Sequence, residues 1–277
     1  MFLVYNSDVL HEDAFRLSVQ DRAFQYGDGL FETIRYETNK LWFWPDHIDR
    51  LTTGMAALRI DQPTGFSAEA LHQFVNQLLQ KNKLVDQSAR VKIQVWRQPG
   101  GFYTPTLNRA NLLITTQPAG DFLITEKTKI GIYDTFRLVE SPISRYKTLN
   151  SLPYILASIY KTENGFDDCL LLDQAGYVAE CVASNVFWLQ NDQLYTPSLE
   201  TGCVNGILRR QVLRLWPETQ EVLARSETLH AAQAIFCCNV NGIQWLRQLE
   251  GIGHFPNEHP TAERLFWQLL EPLRQQV

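Results

Sequence analysis

Hydrophobic positions along the chain switch between two periods. After Pro45, Ile48, Leu51, Met55 and Leu58 recur at steps of three and four, the spacing of one helix face, with Asp46 placed to cap the first turn. Ser67 predicts the start of a second amphipathic helix with Leu71, Phe74, Val75, Leu78 and Leu79 on its buried stripe. Val91, Ile93 and Val95 then alternate with Lys92, Gln94 and Trp96, the period of a half-buried strand, and 111–115 and 128–133 are further β-type runs. A helix is expected over 153–164, stopped by Gly165. Runs at 169–172, 177–181, 185–189 and 194–196, separated by turns at 173–176 and 191–192, predict an antiparallel meander. Helices over 206–215 and 261–274 complete the pattern. The breaker-rich segment Gln117-Pro118-Ala119-Gly120-Asp121 marks a domain boundary. The expected architecture is α+β in two domains, a smaller one over 1–117 and a larger one over 118–277.

Composition narrows the function classes. A length of 277 residues suits two domains of roughly 150 residues each. A hydrophobic share of 45% with 20% charged residues is ordinary globular composition, so the chain can bury a core. Lys plus Arg number 25 against 30 Asp plus Glu, a net charge of -5, which argues against a nucleic-acid partner. No run of about 18 apolar residues occurs, and the first residues lack a basic then apolar leader, so neither membrane insertion nor export is expected. The five cysteines are odd in number and none is spaced C-x-x-C. Reduced thiols in the cytoplasm, and no bound metal, are the expectation.

Several segments carry candidate chemistry. Arg22-Ala23-Phe24-Gln25-Tyr26-Gly27-Asp28-Gly29 bends the backbone sharply and lets a ligand or strand approach closely, yet alone it reads as a hairpin corner. His47 and Arg50 share a helix face where the guanidinium could grip a phosphate, although an isolated pair of this kind is usually a solvated surface feature. Asn205-Gly206-Ile207 opens a helix whose free N–H groups could hold a phosphate, or could simply form an N-cap. Lys147, in Arg145-Tyr146-Lys147-Thr148-Leu149-Asn150 before an apolar helix, is placed for the partly buried amine that a Schiff base requires. Glu180 interrupts a mostly apolar strand, either as a carboxylate inside a site or on the surface of a hairpin.

In this order, the segments DRAFQYGDGLFETIR, HIDRL, YKTLNSLPYILA, ECVASNVFW and YTPSLETGCVNGILRR resemble the aminotransferase class IV family of fold-type IV enzymes, which use pyridoxal 5′-phosphate (PLP). The resemblance implies the two-domain, D-amino-acid aminotransferase-like fold and gives each residue a role. Lys147 is similar to the lysine that binds the cofactor as a Schiff base and later shuttles the Cα proton. Glu180 resembles the carboxylate that keeps the pyridine nitrogen protonated, so that the ring acts as an electron sink. Arg50 resembles the phosphate-binding arginine, and the N–H groups of Ile207 and Leu208 the helix end that completes the phosphate cradle. Ser184 and Asn185 are implied to lie near the ring. The family's hydroxyl or amide after a late strand falls in Phe236-Cys237-Cys238-Asn239, so either Cys238 or Asn239 takes that place.

The loop Arg97-Gln98-Pro99-Gly100-Gly101-Phe102-Tyr103 resembles the Gly-Gly loop of the family's lyases but lacks the arginine that often follows the glycines. The reaction implied first is cleavage of the small molecule 4-amino-4-deoxychorismate to 4-aminobenzoate and pyruvate, a step of folate biosynthesis. The alternative is amino transfer between branched-chain or other amino acids and 2-oxoglutarate. A non-catalytic binding protein on the same fold is the third possibility, and retention of both Lys147 and Glu180 argues against it. A homodimer is also implied by the resemblance.

Overall fold

The structure, a computed structural model, describes residues 1–63 and 65–255. They fall into two compact units, Met1–Asp121 with Tyr146–Asn150, and Phe122–Arg145 with the chain from Ser151 onward. The helix expected over 261–274 lies outside the described residues.

Alternating strands dominate the first unit. Its six-stranded sheet comprises β1 (Phe2–Tyr5), β2 (Asp8–His11), β3 (Gly29–Glu37), β4 (Lys40–Leu41), β5 (Ala89–Arg97) and β6 (Ala110–Pro118), in the order β2-β1-β6-β5-β3-β4. Every pairing in it is antiparallel. A short helix, α1 (Arg22–Tyr26), precedes β3, and two long ones, α2 (Trp44–Ala57) and α3 (Ala68–Lys81), follow it. Leu30, Ile34 and Tyr36 of β3 and Val91, Ile93 and Val95 of β5 pack with Leu51 and Met55 of α2 and Leu71, Val75, Leu78 and Leu79 of α3. Ser67 caps α3, its Oγ accepting from the Ala70 N–H at 3.1 Å. Asp46 does not cap α2: that helix starts at Trp44 after Phe43 at φ 52°, and Pro45 and Asp46 occupy its first turn.

Lys147 belongs to this first unit by its backbone bonds, although the sequence counted it with the C-terminal domain. Its carbonyl accepts from the Phe31 N–H at 2.8 Å, and the Leu149 N–H donates to the Gly29 carbonyl at 2.9 Å.

The second unit holds two sheets. β7 (Leu123–Lys127), β11 (Asn185–Gln190), β12 (Gln193–Pro197), β13 (Gln220–Val222), β14 (Ala234–Asn239) and β15 (Gly242–Leu246) form one, in the order β13-β12-β11-β14-β15-β7. β8 (Ile130–Leu138), β9 (Asp168–Asp173), β10 (Val178–Cys181), β16 (Gln248–Leu249) and β17 (Gly253–His254) form the other, in the order β10-β9-β8-β16-β17. The expected single meander is therefore two hairpins, β9-β10 and β11-β12, in different sheets. Val178, Cys181, Leu170 and Leu172 of one sheet share a core with Val186, Trp188, Ile235 and Cys237 of the other. On the opposite face of β9, Cys169 and Leu171 pack with Ala157 of α4 (Leu152–Glu163). Burial on both faces explains why β9 reads as an unbroken apolar run. A further helix, α5 (Ile207–Leu215), follows β12.

Candidate active site

The Gly-Asp-Gly segment is a helix-to-strand corner rather than a hairpin. Asp21 caps α1 by accepting from the Ala23 N–H, and Gly27 ends it in the left-handed region at φ 64°. Gly29 opens β3 against Trp96, where an added Cβ would lie 2.5 Å from the Trp96 Cβ, so no other residue fits. Asp28 accepts from Arg22 Nε at 2.7 Å and from Arg97 Nε at 2.9 Å. Arg22 Nη1 in turn donates to the carbonyls of Gly100 and Phe102 at 3.2 and 2.6 Å, which clamps the Gly-Gly loop. Arg97 is buried and further bonded to the carbonyls of Leu58 and Arg59, so it is structural.

His47 and Arg50 are not surface charges: they are only 4% and 3% exposed. Both are held by Glu32, 1% exposed, which the sequence reading passed over. Glu32 Oε1 accepts from Arg50 Nε at 2.7 Å and Oε2 from Arg50 Nη2 at 2.6 Å, while His47 Nδ1 lies 2.6 Å from Oε2. The signal was present, since Glu32 shares the core-facing phase of β3 with Leu30, Ile34 and Tyr36. Burial pushes the carboxyl up, but the charge of Arg50 and the bonds from His47 and Arg50 outweigh it and hold Glu32 at about 2. Burial pulls the His47 imidazole below its ordinary value, so it is neutral and donates Nδ1–H. The two-pronged grip expected of Arg50 toward a phosphate is directed at a protein carboxylate.

On the other face of β3, the Lys147 Nζ sits 4.6 Å from the centroid of the Phe31 ring. A second ammonium, Lys92 Nζ, lies 5.0 Å from the same centroid. Alternation had marked Lys92 only as a polar position. Burial, then the neighbouring charge of Arg90, pull the Lys92 ammonium below its ordinary value.

The remaining candidates gather in the second unit. The β10 register shifts between Val178 and Glu180, a bulge that sends Ala179 and Glu180 away from the Val178 and Cys181 face. Glu180 is therefore buried, at 4% exposure, rather than on the surface of a hairpin. Its Oε1 accepts from the Tyr154 hydroxyl of α4 at 2.7 Å and from the Val204 N–H at 3.2 Å. Asn185 Nδ2 donates to the Val204 carbonyl at 2.8 Å, so Val204 links Glu180 to Asn185. Asn239 Nδ2 donates to Ser184 Oγ at 2.8 Å and to the Ala183 carbonyl at 3.1 Å. Cys238, fully in the core, is the residue opposite Asn185 in the strand ladder. Ile207 and Leu208 begin α5 after Gly206, which makes no side-chain cap. A Cβ on Gly206 would lie 2.0 Å from Asn185 Oδ1, so any other residue here must displace the Asn185 amide.

Behind Glu180, on the opposite side of β10, lies a second charged cluster. Lys127 Nζ bonds Asp168 Oδ2 at 2.5 Å and contacts Cys237 Sγ at 3.5 Å, with Cys181 beside them. Burial opposes the Lys127 charge, but Cys237 and Asp168 outweigh it and raise the ammonium above its ordinary value. All five cysteines are free and buried, and no helix among the described residues is long and apolar enough to cross a membrane.

With this geometry in view, the family model for amino-transferase class IV matches residues 29–245. The chain belongs to the amino-transferase class IV family. It has the α+β fold-type IV architecture and is a PLP-dependent enzyme. This class IV enzyme is 28% identical over 231 residues to the aminodeoxychorismate lyase of Vibrio harveyi, covering 79% of this chain and 82% of that one. It is 30% identical over 234 residues to a putative branched-chain-amino-acid aminotransferase of Methanocaldococcus jannaschii, covering 83% and 80%. The structure of a putative 4-amino-4-deoxychorismate lyase from Legionella pneumophila superposes with a TM-score of 0.83 at 26% identity, over 96% of this chain and 98% of that one.

The residues present fit the cofactor of the class. α5 begins without a side-chain cap, so its first N–H groups are suited to a phosphate. Glu180 is a buried carboxylate already oriented by two donors, the group a pyridinium nitrogen requires.

Proposed function

We propose that this class IV enzyme is an aminodeoxychorismate lyase, converting 4-amino-4-deoxychorismate to 4-aminobenzoate and pyruvate on the route to folate. The observation that carries this reading is Lys92, a second ammonium on the Phe31 ring that also takes Lys147. The lyase substrate has two carboxylates, and a cation near the reactive lysine suits one of them, whereas a branched-chain amino acid brings a single carboxylate and an apolar side chain. The Gly100-Gly101 loop, with φ of 141° and 69°, supports it through its likeness to the lyases.

PLP, when bound, supplies an aldehyde for the substrate amine and a ring that draws electrons from the reacting carbon. Lys147 holds the resting cofactor and takes the proton from the amine-bearing carbon. Glu180 keeps the proton on the ring nitrogen, and Ser184, Asn185 and Asn239 hold the strand ends beside it. The Ile207 and Leu208 amides bind the phosphate, and Arg50, oriented by Glu32 and His47, supplies its cation. Lys92 pairs with a substrate carboxylate.

The 30% identity to an aminotransferase supports a second reading, amino transfer from branched-chain amino acids to 2-oxoglutarate. Lys92→Gln separates the two. One lost charge-assisted bond, about 1.5–3 kcal/mol, raises KM for aminodeoxychorismate at least about tenfold with kcat less affected. An unchanged KM contradicts the lyase reading.

The enzyme is also proposed to act as a cytoplasmic homodimer. Leu152, Ile155, Leu156 and Ile159 lie exposed at helical spacing on α4, and Phe102 and Tyr103 are 82% and 91% exposed, surfaces suited to a second copy. Light scattering of the active enzyme tests this, and a monomer mass contradicts it.

A further inference from the structure

The Glu180 carboxylate is oriented by a side chain of α4, the Tyr154 hydroxyl. Tyr154 lies in the first turn of α4, and its ring joins the apolar cluster of Tyr133, Ala157, Leu171 and Ala179. That packing fixes the ring, so its hydroxyl meets Glu180 Oε1 at 2.7 Å as a placed donor rather than a mobile one. The Val204 N–H also donates to the same oxygen at 3.2 Å. Cys203 is a further titratable group beside this carboxylate, and Arg209 lies near enough to act on Cys203.

We propose that Tyr154 is the positioning residue for Glu180: its hydroxyl anchors Oε1 and so sets how strongly the carboxylate holds the proton on the cofactor's ring nitrogen. The inference rests on the reading of Glu180 as that nitrogen's partner. Its direction follows from which group carries the proton. Burial, then the charge of Glu180, push the Tyr154 hydroxyl well above its ordinary value, so it remains O–H and donates. Burial and Glu180 likewise push the Cys203 thiol up to about 12, so it does not compete as an anion. A donated hydrogen bond stabilises the ionised carboxylate, and an ionised, immobile carboxylate is what retains a pyridinium proton. Tyr154 touches neither substrate nor reacting atoms in this account and acts only through Glu180.

The test uses the full chain as apoprotein titrated with PLP, reading the dissociation constant and the absorbance bands of the bound cofactor for wild type, Tyr154→Phe, Glu180→Gln and the double variant. Tyr154→Phe keeps the ring in its cluster and removes only the donor. The expected result is a roughly tenfold weaker PLP affinity, the loss of one charge-assisted bond. The band ratio shifts in the same direction as in Glu180→Gln. The double variant is no weaker than Glu180→Gln alone, as required of a residue acting through another. Replacing Tyr154 by 3-fluorotyrosine, which keeps the shape and makes the hydroxyl a stronger donor, moves the bands the opposite way and tests the inference even if the phenylalanine variant folds poorly. Wild-type affinity and bands in Tyr154→Phe, with both altered in Glu180→Gln, overturn the role of Tyr154 and leave that of Glu180 standing. Additive effects in the double variant also overturn it. Unchanged affinity and bands in Glu180→Gln overturn both.

Discussion

Removing Glu32 tests the physics of the first unit most sharply. Glu32→Ala takes away the acceptor of two Arg50 bonds at 2.7 and 2.6 Å and of the His47 contact at 2.6 Å. Arg50, 3% exposed, is left as a cation without that counter-charge. Breaking a buried pair from one side costs about 3–5 kcal/mol, a large share of the roughly 5–15 kcal/mol that holds a domain folded. A second route gives a similar size. Glu32 is held at about 2 against an ordinary 4.5, and at about 1.36 kcal/mol per pH unit that displacement corresponds to about 3 kcal/mol. Because its folded pKa is depressed, this stabilisation is present above about pH 4.5 and lost as pH falls toward 2. His47 acts in the same direction: its pKa is lowered on folding, so the unfolded chain binds the extra proton and stability begins to fall below about pH 6.5. The assay is urea unfolding of wild type and Glu32→Ala at pH 7 and pH 4. The wild-type midpoint should drop between the two, and the variant should be far less stable at pH 7. Equal midpoints at pH 7 would refute the reasoning.

Further predictions concern the second unit and the reactive lysine. Lys127→Met leaves Asp168 buried without its 2.5 Å ammonium partner and should cost about 3–5 kcal/mol; an unchanged urea midpoint would show that the cluster contributes nothing. Gly206→Ala drives a methyl to within 2.0 Å of Asn185 Oδ1, so it should cost about 1–3 kcal/mol and weaken PLP binding, read by denaturation and apoprotein titration; wild-type values in both would contradict the crowding. Arg50→Ala should lower stability as well as PLP affinity, since it strands Glu32, and a loss of affinity alone would show that the Glu32 pair is weak. Lys147→Ala should abolish turnover with the fold retained, and borohydride should no longer fix the cofactor to the chain; retained activity without added amine would remove Lys147 from its role.

What the sequence disclosed was set by how local each signal is. Ser67 and the Leu71, Val75, Leu78 stripe specify α3 within one segment, and the chain obeys them. Asp46 misled because a left-handed Phe43 and Pro45 start α2 earlier, a choice made by backbone geometry rather than by capping preference. The hairpins β9-β10 and β11-β12 were legible from their turns, but which sheet each joins depends on pairings far along the chain, such as β11 with β14. Glu180 stood out as a carboxylate in an apolar strand, whereas the bulge that turns it toward Tyr154 has no sequence mark. Glu32 carried a readable signal, a charge in core phase, but its bonds to His47 and Arg50 depend on how α2 packs on β3, which no local pattern states. Lys92 had no signal beyond a polar position in an alternating strand, because only the structure shows that it shares a ring with Lys147.

The central claim is tested most directly by supplying purified enzyme with 4-amino-4-deoxychorismate and measuring 4-aminobenzoate and pyruvate together. The account predicts both in equal amounts, without 2-oxoglutarate and without consumption of any amino acid. No pyruvate from that substrate, with steady amino transfer from a branched-chain amino acid to 2-oxoglutarate, would contradict it.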